Sequence, residues 1–407
     1  MKPIQSSAYT NKWVLLSAFF LPLWPVAAMI MWGLTALTRL LDKEDRRTIL
    51  TGFRSNKLLW GLPIFYGIHI LGLFHTTNFS YAGLDLQTKL TFLLLPFVIG
   101  TLQLRGNDLR NIKIGFTAGC LLSCAIMLIY AIYRYTTTHH TNWFFYTDYS
   151  SLFMHPTYLT MYLSVAVYFV LERLLQTTNR TQGIIVGAEL LFLLANSILL
   201  SARTALATTL LLTIVFAFIA IREKKFSVAA RTGWVIAIGC SILFYVGMNK
   251  INNRFTQVEE AIVQQSEQAT VHNSTTGRIE IWKESLVLLQ DNWMIGTGTG
   301  DIKDELLKSY AAHQFTYGLE RKLNSHNQFL QTWLALGIAG LLCLVALLLI
   351  PLIKTRISTD NAFLFLVGII TLNAMTESIL EVQKGVFFLS FFYSLMLNRT
   401  NKSDIPN

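Results

Sequence analysis

The sequence predicts an all-α polytopic membrane protein of eleven or twelve transmembrane helices, with one large helical loop on the outer side between late helices. Three observations lead there. The chain of 407 residues is 53% hydrophobic and only 14% charged, against about 25% charged in ordinary soluble domains. Its mean hydropathy is +0.46. Apolar runs of roughly 17–25 residues, the length that crosses a bilayer as a helix, recur along the whole chain between short polar gaps.

In chain order the runs lie near 13–39, 57–75, 85–104, 114–133, 156–173, 183–200, 203–221, 229–248, 327–353, 361–376 and 383–398. The first is too long for one simple helix and contains Pro22 and Pro25, so it is either one kinked helix or two short ones. A proline inside a helix removes a backbone donor and favours a break there. No small-residue cleavage site follows this run, which therefore reads as a retained anchor rather than a signal peptide. The four cysteines, Cys120, Cys124, Cys240 and Cys343, all fall inside apolar runs. They read as small hydrophobes and not as a disulfide set or a metal site.

The gaps alternate in charge. The 40–56 gap holds Lys43, Arg46, Arg47 and Arg54, whereas 76–84 has no Lys or Arg. Basic residues return at Arg105, Arg110 and Lys113, then at Arg173 and Arg180, then at Arg222, Lys224, Lys225 and Arg231, and again at Lys354, Arg356, Arg399 and Lys402. Basic loops stay in the cytoplasm. The other set faces outward and includes the turn at Arg203 and the long segment 249–326. A net charge of +10 distributed in this way marks topology, not a nucleic-acid partner. The expected organisation is a transmembrane bundle over 1–248, an outward helical lobe over 249–326, and transmembrane helices with a cytoplasmic tail over 327–407. Within the lobe, TGRIEIWKESLVLLQ (276–290) sets Ile279, Trp282, Leu286 and Leu289 at helical spacing, and DELLKSYAAHQF (304–315) reads as a second helix.

Charged groups beside an apolar run are costly and are kept for a reason. Arg203 ends one run and opens the next in SILLSARTALATTLLL (197–212). Its guanidinium suits a phosphate bidentately, or it is an interfacial arginine snorkelling to a lipid head group. Its predicted outward side runs against the positive-inside bias and favours the first reading. Arg278 lies at the amino-terminal end of the 276–290 helix, where a cation and the helix dipole together favour an anion. The alternative is a surface arginine paired with Glu280 or another acid. His326 sits where the lobe meets an apolar helix. It can take a proton from a hydroxyl or donate to a phosphate oxygen, or it is a capping histidine. Asn324, Ser325 and Asn327 surround it with polar groups.

His155, before Pro156, and Glu377 and Glu381, in the last outward gap, are candidates to line an acceptor site, with structural roles as the alternative. His139 and His140 beside TNWFFY read as an interfacial aromatic belt. GTGTGD (296–301) resembles a phosphate cradle but lacks the lysine of a nucleotide-binding loop; a tight turn between helices is the expected role. There is no D-x-D, G-x-S-x-G or H-E-x-x-H sequence, so a mechanism without metal or cofactor is expected.

Together, SARTAL, the Arg278-containing TGRIEIWKESL with GTGTGD, SHNQFLQTWLALGIAGLL and TESILEVQKGVFFLSFF resemble the superfamily of O-antigen ligases and O-antigen polymerases, and HPTYLTMYL (155–163) resembles it too. The resemblance implies a glycosyltransferase of the bacterial inner membrane, its site facing the periplasm, with a glycan on undecaprenyl pyrophosphate as donor. The acceptor is lipid A–core in the ligases, another repeat unit in the polymerases, and a serine or threonine in protein-modifying members. The resemblance implies further that Arg203 and Arg278 engage the pyrophosphate and that His326 activates the acceptor hydroxyl or assists at the donor phosphate. In-line attack would invert the anomeric centre. The ligase reading is preferred. A lipid or polysaccharide transporter, the rival from another class, should instead show internal symmetry and ionisable residues near the middle of several helices.

Overall fold

A backbone in hydrocarbon must satisfy its own polar groups, and a helix does so within one segment. The computed structural model is all-helical, with no strand among the described residues. It describes residues 5–104, 107–225, 227, 230, 231, 234, 235, 238, 239, 274–353, 357 and 361–400. The helices of ten residues or more are α1 (Gln5–Phe20), α2 (Pro25–Leu41), α3 (Lys43–Ser55), α4 (Gly61–Leu71), α5 (Phe79–Val98), α6 (Asp108–Thr138), α7 (Pro156–Leu175), α8 (Arg180–Leu199), α9 (Arg203–Arg222), α10 (Ser274–Asn292), α11 (Ile302–Ala312), α12 (Gln328–Ile353), α13 (Ala362–Ala374) and α14 (Gln383–Thr400).

Six helical segments among the described residues are long and apolar enough to cross a membrane: Lys57–His75, which contains α4, together with α6, α7, α8, α9 and α12. The protein is thus multi-pass. The eleven or twelve expected runs resolve differently for local reasons. The first run breaks between Phe20 and Pro25 into α1 and α2, of 16 and 17 residues, and Pro25 takes the first turn of α2 where its missing N–H is harmless. α13 is a shorter apolar helix. α5 and α14 have 20 and 18 residues, but they carry Asp85 and Lys89, and Lys384 and Arg399. The expected span 229–248 lies mostly outside the described residues, as do Cys240, Lys354, Arg356, Lys402 and positions 249–273 of the outward segment.

The chain divides into two compact units. The first comprises Met1–Gly52, Thr101–Ile251 and Thr355–Ile370. In it α1 packs on α2 and α6, and α7 packs on α6, α8 and α9. α7 is buried along nearly its whole length, as expected of a helix apolar all round. Its Glu172 takes a buried ion pair from Lys113 of α6. Cys120 and Cys124 are free buried thiols, in line with their apolar setting.

The second unit comprises Phe53–Gly100, Asn252–Lys354 and Thr371–Asn407. Here α5 packs on α4 and α14, α12 on α4, and α10 on α11 and α12. Ile281 and Leu289 of α10, Leu306 and Tyr310 of α11, and Leu334 of α12 share one core. Both expected lobe helices are present, and on α10 Leu289 of the expected stripe lies in the core with Trp282 packed against it, but other residues complete the buried face. Ile281, Ser285 and Leu289 face the core, while Leu286 is 53% exposed. Ser285 can sit there because its hydroxyl donates to the Ile281 carbonyl (2.8 Å).

One break in regular structure organises this unit. Within α12, Gly337 has φ 65° and ψ −166°. That conformation removes the helical bond from Ile338 N–H to the Leu334 carbonyl. The GTGTGD turn and Met294 just before it supply the missing partners: Thr297 N–H donates to Leu334 O (2.7 Å), and Ile338 N–H donates to Met294 O (3.3 Å). Gly298 N–H caps the Ala335 carbonyl as well (3.0 Å). At the other side of the turn, the Thr299 hydroxyl donates to the His69 carbonyl at the end of α4 (2.6 Å). Asp301 then accepts from Thr77 N–H (2.7 Å), the Thr77 hydroxyl (2.8 Å) and Asn78 N–H (2.7 Å). Burial opposes ionisation of Asp301, but those hydrogen bonds outweigh it and hold the carboxyl below its ordinary value. The turn reading of GTGTGD is therefore supported on physical grounds, because its N–H donors are already occupied by protein acceptors.

Gly337 must keep its left-handed φ, and a Cβ there would lie 2.1 Å from the Met294 carbonyl oxygen. Gly337→Ala is expected to cost about 1–3 kcal/mol. Gly83→Ala, where a Cβ would meet nothing within 4 Å, should be neutral or mildly stabilising. Thermal unfolding in detergent compares the two, and equal melting temperatures would refute the structural role of the break.

Candidate functional site

The residues before α12 form the site. Asn327 caps the helix, its side chain accepting from Phe329 N–H (2.9 Å) and Leu330 N–H (3.1 Å). Three residues earlier in the turn, Asn324 accepts from His326 N–H (3.1 Å). Between them His326 is held at φ 44°, a left-handed conformation uncommon for residues other than glycine. Fully buried Ser325 anchors the turn from below: its hydroxyl lies 2.8 Å from Gln331 Oε1 and 3.3 Å from the Ser378 hydroxyl. Gln328 completes the anchor, accepting from Leu380 N–H (2.7 Å) and donating to Glu381 (3.4 Å). These bonds clamp the 377–381 loop onto the start of α12.

The clamp aims Glu377. One carboxylate oxygen lies 3.1 Å from His326 Nδ1, and the other lies 3.5 Å from Arg278 Nη2. Glu377 is nearly buried, while the His326 and Arg278 side chains are 23% and 30% exposed. A carboxylate on Nδ1 fixes the tautomer and leaves Nε2 as the working nitrogen. The acid that pairs with Arg278 is therefore Glu377; Glu280 pairs with Lys283 instead (2.7 Å).

Of the expected site residues, the second unit brings together Arg278, Asn324, His326, Asn327 and Glu377. Arg203 and His155 belong to the first unit. Arg203 opens α9, half-buried, directly after Ser201 at φ 50° and Ala202. His155 is exposed and caps α7, its Nδ1 facing Thr157 N–H at 3.4 Å, which is the structural alternative considered for it.

Sequence reasoning overlooked a buried polar chain beside this site. Lys89 of α5 is 1% exposed and bonds Asp85 one turn away and Glu381 at 3.3 Å. Asp85 in turn lies 3.3 Å from His69 Nδ1 of α4. Three ionisable residues inside predicted spans were the available signal. Lys89 thus reaches the loop that carries Glu377 through Glu381.

Part of the chain is similar to known proteins. Residues 188–345 match the Wzy_C family, described as O-antigen ligase. Over this segment the chain is similar to the O-antigen ligase family. The matched segment contains Arg203, Arg278 and His326, and it ends before Glu377. An uncharacterized protein of Haemophilus influenzae is 23% identical over 118 residues, an alignment covering 29% of this chain and 30% of that relative. The family match covers 188–345, and the aligned stretch spans less than a third of the relative's length.

Proposed function

We propose that the protein is an O-antigen ligase, moving a glycan from undecaprenyl pyrophosphate to lipid A–core on the periplasmic face of the bacterial inner membrane. The observation that carries this reading is the single carboxylate of Glu377 between His326 and Arg278. With Nδ1–H donating to Glu377, His326 Nε2 takes the proton of an acceptor hydroxyl. The hydroxyl oxygen attacks the anomeric carbon, the bond to the pyrophosphate oxygen breaks, and undecaprenyl pyrophosphate leaves. Attack opposite the leaving group inverts the anomeric centre. Arg278 stabilises the pyrophosphate charge as it develops, a contribution worth about 10²–10³ in rate for a single donor. Arg203 has the same donor-binding role, on the strength of its place in the SARTAL segment.

Asn324 and Asn327 shape the turn that presents His326. His155 is kept as a candidate acceptor contact. Met294 and Ile295 are 59% and 63% exposed on the lobe, which suits a lobe resting on the membrane surface.

The test is transfer in detergent from a lipid pyrophosphate glycan to purified lipid A–core. Wild-type protein should form product with or without a chelator, and Arg203→Ala and Arg278→Ala should each lose it while expressing normally. Chelator inhibition reversed by a divalent metal would reject the metal-independent mechanism. Wild-type rates in either variant would remove that arginine. Disrupting the gene distinguishes the alternatives: core without O-antigen indicates a ligase, and core with one repeat unit indicates a polymerase. An unchanged lipopolysaccharide ladder directs attention to protein glycosylation, or to transport if labelled substrate is taken up.

A further inference from the structure

A cleft lies within the first unit, where two basic gaps meet. It has a volume of about 320 Å³ and is lined by Arg110 of α6, Arg173 and Gln176 at the end of α7, and Gln182 and Glu189 of α8. All the gaps that meet here, 105–113 and 174–182, belong to the basic set. Arg110 and Arg173 are close enough to repel each other. Glu189 bonds Arg173 Nη2, so one carboxylate faces two guanidiniums and the cleft keeps a positive charge. The Arg173 side chain is 23% exposed, so its guanidinium is still reached from the cleft. Gln182 stands in the first turn of α8, where the helix dipole adds positive potential. The apolar wall of the cleft includes Ile114 and Ile185, 37% and 55% exposed.

Two cations and a helix amino terminus around one cleft recognise a phosphate oxygen. An adjoining exposed aliphatic wall recognises an acyl chain. Basic pockets between transmembrane helices on the cytoplasmic side are suited to lipid head groups. We propose that this cleft binds the phosphate of an anionic phospholipid, held by Arg110, Arg173 and Gln182, with an acyl chain against Ile114 and Ile185. The bound lipid would brace α6, α7 and α8 where their ends meet. This site is independent of the transfer reaction proposed above.

Arg110 is exposed, so Arg110→Gln should fold normally, and its unchanged melting temperature in lipid-free detergent verifies this. Full-length protein is titrated with phosphatidylglycerol, with phosphatidylcholine and with inorganic phosphate, and bound lipid is counted by native mass spectrometry alongside thermal shift. Phosphatidylglycerol should bind and stabilise in preference to phosphatidylcholine. Arg110→Gln should weaken that binding about fivefold, and Arg110→Lys should largely restore it. Equal binding of the two lipids, or wild-type affinity in Arg110→Gln, overturns the proposal. Arginine-dependent stabilisation by inorganic phosphate without preference for phosphatidylglycerol would overturn the lipid and identify a free phosphate site.

Discussion

Replacing His326 by alanine is expected to lower kcat for glycan transfer about 10²–10⁴-fold, the usual contribution of a positioned general base. KM for the donor should stay near its wild-type value, because the imidazole acts on the acceptor hydroxyl and not on the pyrophosphate. Arg278→Ala should differ in kind, since it removes a charge that also holds the donor, and should raise KM as well as lower kcat. Glu377→Gln is the informative companion. The amide keeps the size of the side chain and an acceptor oxygen 3.1 Å from Nδ1, but not the charge that stabilises the imidazolium once the proton has been taken. It should lose activity to a smaller extent than His326→Ala. The double variant His326→Ala with Glu377→Gln should be no worse than His326→Ala alone, because residues acting as one unit are not additive. Steady-state kinetics on detergent-purified protein checks all four. Full activity in His326→Ala would exclude it as the base, and additive losses would separate Glu377 from it.

The second large effect is on stability. Lys89→Met leaves the largely buried Asp85 and Glu381 without their common cation, and removing one partner of a buried ion pair costs about 3–5 kcal/mol. That is a large part of the total stability of roughly 5–15 kcal/mol that a folded domain has. The effect should reach function, because Glu381 also accepts from Gln328 in the clamp that holds the Glu377 loop. Lys89→Met should therefore lower both melting temperature and transfer. Adding Asp85→Asn to it should cost less than the sum of the two single changes, since each alone strands the other's charge. A melting temperature equal to wild type in Lys89→Met would show that the chain from His69 to Glu381 does not brace the loop.

Membrane insertion is decided by free energies that add residue by residue along a segment, and helix capping and turns involve near neighbours. Such properties are legible in a linear string. The all-helical multi-pass architecture, the break at Pro22 and Pro25, the two lobe helices, and the candidates Arg203, Arg278 and His326 could accordingly be read from residue type and spacing. GTGTGD could be read as a turn, but not as the partner of a broken helix. Its bond from Thr297 to Leu334 spans distant positions, and nothing in the GIAG sequence distinguishes a helical Gly337 from one at φ 65°. The face of α10 was misjudged in part for a related reason. Two apolar stripes share Leu289 on this helix, and packing against α11 and α12 selected Ile281 over Leu286. Which acid meets Arg278 and His326, and which loop Lys89 restrains, followed from packing as well. Glu377 lies 51 residues from His326, and Glu381 lies 292 from Lys89. Contacts over such separations depend on where whole helices come to rest, a collective outcome that no local pattern encodes.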